Sequence, residues 1–238
     1  MICFGGSHAG AIEGAARVLK EDIHFVYVRS FPMPFVQANG CYRLHSTVVA
    51  EIERGRGPVF SVIGGNTHNV MGLVRHPTPF DFILPDQPEL ATDPKAEIIP
   101  YATIKAVLER RTQFAFDQLQ ALASRYRNCL FHVESPPPVR RRLILATPNR
   151  LTKQIEEHGL APALLRYRLW RLHGTIIRSY CDKLGVPFIP VPPESIDKKG
   201  FLLAELTGNA THGNKKYGAL VIARMKAAAD DPSIRVRA

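Results

Sequence analysis

The 238-residue sequence predicts an α/β fold, a three-layer α/β/α sandwich around a five-stranded parallel sheet. Two observations carry this. Five short runs rich in apolar and β-branched residues alternate with five helical patterns, and such alternation closes into a parallel sheet with right-handed crossovers and helices on both faces. The third run, Val59-Phe60-Ser61-Val62-Ile63, has no polar alternation, as expected of a strand covered on both sides. No repeat, heptad or linker divides the chain. Residues 1–230 therefore read as a single domain and 231–238 as a loosely ordered tail.

The elements follow in order. Ile2-Cys3-Phe4 is a strand stopped by Gly5 and Gly6, and Ala9 to Lys20 is the first helix. Ile23 to Val28 is β-branched and aromatic, hence the second strand. Pro32, Pro34, Asn39 and Gly40 make a loop, and a helix runs from about Tyr42 to Arg54 before Gly55, Gly57 and Pro58 stop it. After the third strand, residues 67–100 carry six prolines and read as irregular, a cover over the sheet edge or a packed surface loop. Ala102 to Tyr126 is a long helix, and Cys129 to Val133 the fourth strand, ended by Pro136-Pro137-Pro138. An insertion with a short helix near Leu151 to His158 precedes a helix from Ala163 to Leu184, whose Arg166, Arg168, Arg171 and Arg178 are expected on its wet face. Val186 to Val191, with two prolines, suits an edge strand, and Lys215 to Ala229 is the closing helix.

Composition narrows the function classes. The chain is 45% hydrophobic and 22% charged, which reads as globular and soluble. No apolar run approaches the roughly 20 residues that cross a bilayer, so no membrane partner is expected. The opening residues lack the basic region of a signal peptide, and a cytoplasmic location is expected. Cys3, Cys41, Cys129 and Cys181 have no metal-ligand spacing and read as buried thiols rather than disulfides. The net charge of +10 permits an anionic substrate or a polyanion. The basic residues are spread out, so a solvated shell is preferred and nucleic acid is not the expected partner.

Three stretches carry chemistry. Gly5-Gly6-Ser7 lifts a hydroxyl to the carboxyl end of a strand beside a helix start, where ligands bind in such sheets. Gly64-Gly65-Asn66 follows the third strand, and Asn209-Ala210-Thr211-His212 precedes the last helix. In that order the three resemble the blocks of the SGNH/GDSL hydrolase family, over essentially the whole chain. The resemblance implies a flavodoxin-like strand order 2-1-3-4-5, and a serine-dependent ester hydrolase working through an acyl-serine intermediate without a cofactor. It assigns Ser7 as nucleophile and His212 as its base, with Asn209 in the position of the family's triad Asp. Ser7, Gly40 and Asn66 would be the oxyanion donors, Gly40 because it is the one glycine in the loop after the second strand. His8 and His68 flank these stretches and could line a substrate; with His212 they lack the spacing of a metal site.

The chemistry suits these residue types, since a serine hydroxyl needs a base and the tetrahedral oxyanion needs preorganised donors. The departures are Gly6 for the family's Gly-Asp-Ser aspartate, Thr67 for the Asp after Asn66, and Asn209 for the triad Asp. An amide can orient an imidazole but does not stabilise its cation as a carboxylate does. Glu205 is the nearest acid upstream. The expected substrate is a small-molecule ester or an acylated carbohydrate. An O-acyltransferase on the same residues and a small-ligand or glycan-binding protein stay open as alternatives.

Overall fold

The computed structural model describes residues 1–146 and 152–232. β1 (Ile2–Gly5) leads into α1 (Ala9–Leu19), and β2 (His24–Tyr27) ends in a 3-10 turn, Val28–Ser30. β3 (Phe35–Ala38) and β4 (Cys41–Leu44) form a hairpin before α2 (Ser46–Glu53) and β5 (Val59–Val62). α3 (Thr67–Gly72) follows at once, then β6 (Phe80–Asp81) and β7 (Glu97–Ile98), which pair in parallel. α4 (Tyr101–Tyr126), β8 (Leu130–Val133), α5 (Arg141–Ala146), α6 (Thr152–His158), α7 (Ala163–Leu184), β9 (Phe188–Ile189) and α8 (Lys215–Asp230) complete the chain.

The main sheet has the order β2-β1-β5-β8-β9 and every pairing in it is parallel. Counted along the chain, this is the expected 2-1-3-4-5. The order reverses beside β1, so a crevice opens outside the carboxyl ends of β1 and β5. Ser7 follows the first of these strands and Asn66 the second.

Alternate residues of each strand feed opposite cores, because successive side chains leave a strand on opposite faces. Phe4, Val59 and Leu130 join Leu108, Leu122 and Leu169 on the side of α4 and α7. Cys3, Phe60 and Phe131 join Ile12, Val221 and Met225 on the side of α1 and α8. Both faces are dry, which is why the central strands carry no polar alternation.

Several elements differ from the sequence reading. The loop after β2 contains the β3–β4 hairpin, turned by Asn39 and Gly40, both at positive φ (52° and 76°). Asn-Gly between two short runs is the sequence of a tight hairpin turn. The helix expected from Tyr42 therefore starts only at Ser46, where the His45 ring accepts from the Thr47 N–H. Strand β9 is two residues long because Pro187 and Pro190 flank it without N–H groups. A helix, α5, forms in the insertion where one short helix was expected. The start of the other, Leu151, lies outside the described residues, as do residues 233–238 of the expected tail.

The largest correction concerns α7. Arg166 and Arg168 are buried, Arg168 completely. Arg168 meets both Asp81 carboxylate oxygens at 3.0 Å and donates to the Leu90 and Ala91 carbonyls. Arg166 donates to the Val139 and Ala161 carbonyls. The proline-rich stretch is thus clamped to α7, with Phe82 and Leu84 in the core. No helix among the described residues is long and apolar enough to cross a membrane.

Candidate active site

The turn between β1 and α1 sets Ser7. The Gly6 carbonyl accepts from the Ala9 N–H and the Ser7 carbonyl from the Gly10 N–H, both at 3.1 Å. His8, not Ser7, stands at the N-cap of α1, so the Ser7 hydroxyl is not spent on the helix start. Its Oγ lies 2.7 Å from Nε2 of His212.

His212 is held by the loop before α8. The Gly208 and Asn209 N–H groups donate to the His212 carbonyl at 2.8 and 3.2 Å. Asn214 caps α8 by accepting from the Lys216 and Tyr217 N–H groups, and its amide nitrogen donates back to the Glu205 and Thr207 carbonyls. Asn209 Oδ1 accepts the Thr211 N–H at 3.0 Å and lies 2.8 Å from His212 Nδ1. Because Oδ1 faces a backbone donor, the amide is oriented as an acceptor toward the ring. This network assigns the proton to Nδ1 and leaves the Nε2 lone pair facing the Ser7 hydroxyl. Thr211 Oγ1 sits 2.9 Å from Nδ1 and shares in holding it. Glu205 is an exposed residue of a 3-10 turn.

Asn66 is fixed from below. Its Oδ1 accepts from the Asn69 amide at 3.0 Å, one turn into α3, which leaves its own NH2 group as the free end. Gly6, Ser7 and Asn66 line one cleft of about 650 Å3 between the sheet edge, α3 and α4. Its other walls are largely apolar, with Val28, Phe31 and Phe114 among them.

Of the residues singled out in the sequence, Ser7, His8, Asn66, Asn209 and His212 come together at this edge, and Gly40 and His68 do not. Gly40 stands with Asn39 in the turn of the β3–β4 hairpin, which needs its positive φ, and it is not among the residues that line the cleft. The segment that reaches the cleft after β2 is instead Val28, Arg29 and Phe31. His68 is only 2% exposed and faces inward from α3, its Nδ1 3.3 Å from Nδ1 of His173 on α7. His8 lines the cleft and packs on His212, with ring centroids 4.7 Å apart. Gly65 makes room for it, since a Cβ there would stand 3.0 Å from the His8 ring and from Ser135.

Behind the site lies a group of neutral imidazoles. Burial pushes His8 down to about 3, with the nearby His212 and His173 adding to the shift. Burial likewise lowers His132 to about 3 and His173 to about 4, and holds His68 well below its ordinary value. Glu134 at the end of β8 is raised by burial although it accepts the Val191 N–H. Among the described residues no group of three or more His, Cys, Asp or Glu side chains is arranged to hold a metal ion.

Sequence reasoning missed Asn69, Thr211, Arg29 and Arg111. Asn69 had a signal, standing three residues after Asn66 at the start of a helix. Thr211 lay inside the quoted stretch. Arg29 and Arg111 are 82 positions apart in sequence and only the fold brings both to one cleft.

No protein-family model matches the chain and no curated protein matches it. Solved structures do. A proposed acylhydrolase from Bacteroides fragilis superposes with a TM-score of 0.54 at 10% identity, over 98% of this chain and 87% of that one. A proposed platelet activating factor from Streptococcus pneumonia gives 0.51 at 11% identity, over 96% and 82%. A GDSL-like lipase from Bacteroides thetaiotaomicron gives 0.49 at 11%, over 96% and 87%. At these identities the first two likenesses show a shared fold over nearly the whole chain.

Proposed function

We propose that this chain, whose fold is that of the SGNH/GDSL hydrolases, is a serine-dependent ester hydrolase acting on a small-molecule ester. One observation carries the reading: the unbroken hydrogen-bonded line Ser7–His212–Asn209 at the edge of an open cleft. His212 Nε2 would take the Ser7 proton as Oγ forms a bond to the ester carbonyl carbon. The Asn66 amide and the Ser7 N–H would receive the developing oxyanion. The carbon–oxygen bond to the alcohol then breaks, and the proton on His212 passes to the leaving oxygen. Water, activated by the same ring, releases the acid and restores Ser7. An alcohol in place of that water would make the same residues an O-acyltransferase.

A ligand-binding protein without turnover is the second reading. The amide of Asn209 favours it, because it lacks the charge that stabilises imidazolium. One experiment separates the two: p-nitrophenyl acetate hydrolysis by wild type and Ser7→Ala, with mass spectrometry after treatment with a fluorophosphonate probe. The hydrolase reading expects turnover lost in Ser7→Ala and a single adduct on Ser7. A folded wild-type protein with neither turnover nor adduct would overturn it in favour of binding.

A further inference from the structure

The walls of the cleft carry more charge information than ester hydrolysis needs. Arg29 reaches the cleft from the 3-10 turn after β2, and Arg111 from α4. On α4 the positions 111, 114, 115 and 118 recur at helical spacing and all face the cleft, so Arg111 belongs to one wall with Phe114, Ala115 and Gln118. No Asp or Glu is among the described residues that line the cleft.

Neither guanidinium has an ion-pair partner among the described residues. Other arginines do: Arg17 meets Glu13, Arg54 meets Glu51, Arg125 meets Glu53 and Arg171 meets Asp86. The reasons are local. The positions three and four away from Arg111 are Val107, Leu108, Phe114 and Ala115, none of them a carboxylate. The α4 acids pair elsewhere, Glu109 with Lys105 and Asp117 with Gln113. Arg29 lies over the Tyr27 ring, its Cζ 5.9 Å from the centroid. The carboxylate beside that ring, Glu13, is taken by Arg17 and by the Tyr27 hydroxyl.

We propose that the cleft takes an ester bearing an apolar chain and an anionic group, the chain against Phe31, Val70 and Phe114 and the anion on Arg29 and Arg111. The inference rests on the hydrolase reading for the reacting bond, and on the cleft walls alone for the anion. A cleft of about 650 Å3 is in the range that encloses a ligand of many heavy atoms. Guanidinium is weakly hydrated and its planar fork matches carboxylate and phosphate oxygens. Both arginines are exposed, so their attraction for an anion is screened by salt. The net charge of +10 adds long-range steering of an anion toward the same place.

The test compares two esters of equal chain length, p-nitrophenyl hexanoate and the p-nitrophenyl monoester of adipic acid. Each is titrated calorimetrically into Ser7→Ala, and into that variant with Arg29→Gln or Arg111→Gln added. The proposal expects the acidic ester to bind about tenfold tighter, a preference that falls several-fold with each arginine lost and weakens with added salt. Equal binding of the two esters, no binding of either, or a preference that survives both substitutions would overturn it. Turnover of both esters by the wild-type protein is scored separately. Preference without turnover would keep the anion site and remove the hydrolase reading. Turnover without preference would remove the anion site alone.

Discussion

At the residue scale, the question is what Asn209 does beside His212. Its Oδ1 is held by the Thr211 N–H and lies 2.8 Å from Nδ1, so it can fix the ring and its tautomer. What it lacks is a charge facing the imidazolium that the proposed reaction would form. Asn209→Asp keeps the acceptor geometry and adds that charge, and is expected to raise kcat about tenfold. Asn209→Ala removes the orienting group and is expected to lower kcat by about a hundredfold, with KM changing less than twofold. Steady-state kinetics on p-nitrophenyl esters measure both. Equal kcat in all three proteins would remove Asn209 from the site. The same logic of support from below applies to Asn66, whose carbonyl oxygen is occupied by Asn69 so that the amide NH2 is the end left over.

At the scale of elements, the buried pair between Arg168 on α7 and Asp81 on β6 decides where the long connection after α3 lies. Its side chains are 0% and 2% exposed, and Asp81 also accepts the Phe82 and Asp93 N–H groups. Removing one partner leaves a charge in a dry interior, which costs about 3–5 kcal/mol, whereas replacing both is often close to neutral. Asp81→Asn is therefore expected to lower unfolding free energy by about 3 kcal/mol or more in urea titrations. Adding Arg168→Met to it should recover most of that loss. A single variant within 1 kcal/mol of wild type, on the scale of an exposed pair, would show that the clamp is weak. The cleft is reached by α3 itself, through Thr67 and Val70, and not by the connection that follows it, whose Phe82 and Leu84 are in the core.

For the whole molecule, the four buried imidazoles of His8, His68, His132 and His173 set the response to acid. All are pushed below their ordinary value by burial, three of them to about 3 or 4. Above pH ~6.5 the folded and unfolded chains both carry them neutral, and they contribute no slope. Below it the unfolded chain takes up protons that the folded chain refuses, so stability falls as pH drops from about 6.5 toward 4. Each histidine adds up to about 1.4 kcal/mol per pH unit over that window. Urea titrations at pH 8, 7 and 5 should show little change between the first two and a marked loss of stability between the last two. Replacing His132 by Phe should make the acid slope shallower, whatever it does to absolute stability. A flat profile down to pH 5 would mean that these rings are protonated in the fold.

The layers, the parallel sheet and the residues of the Ser7–His212–Asn209 line are all legible before any coordinates. The layers rest on short-range patterns, apolar runs and glycine turns, whereas the line of Ser7, His212 and Asn209 was legible only through the resemblance to the SGNH/GDSL blocks. The Asn39-Gly40 turn was equally local, and reading Gly40 as an oxyanion donor passed over the hairpin that Phe35 to Ala38 and Cys41 to Leu44 form around it. That Arg168 is interior, that His68 meets His173 rather than the cleft, and that Arg29 and Arg111 face one space follows only from how the elements pack. A helix pattern says which residues share a face but not what that face will meet. An arginine on such a face becomes a wet surface group, a buried clamp or a cleft wall according to whether the chain packed against it brings an acid, a carbonyl or an opening.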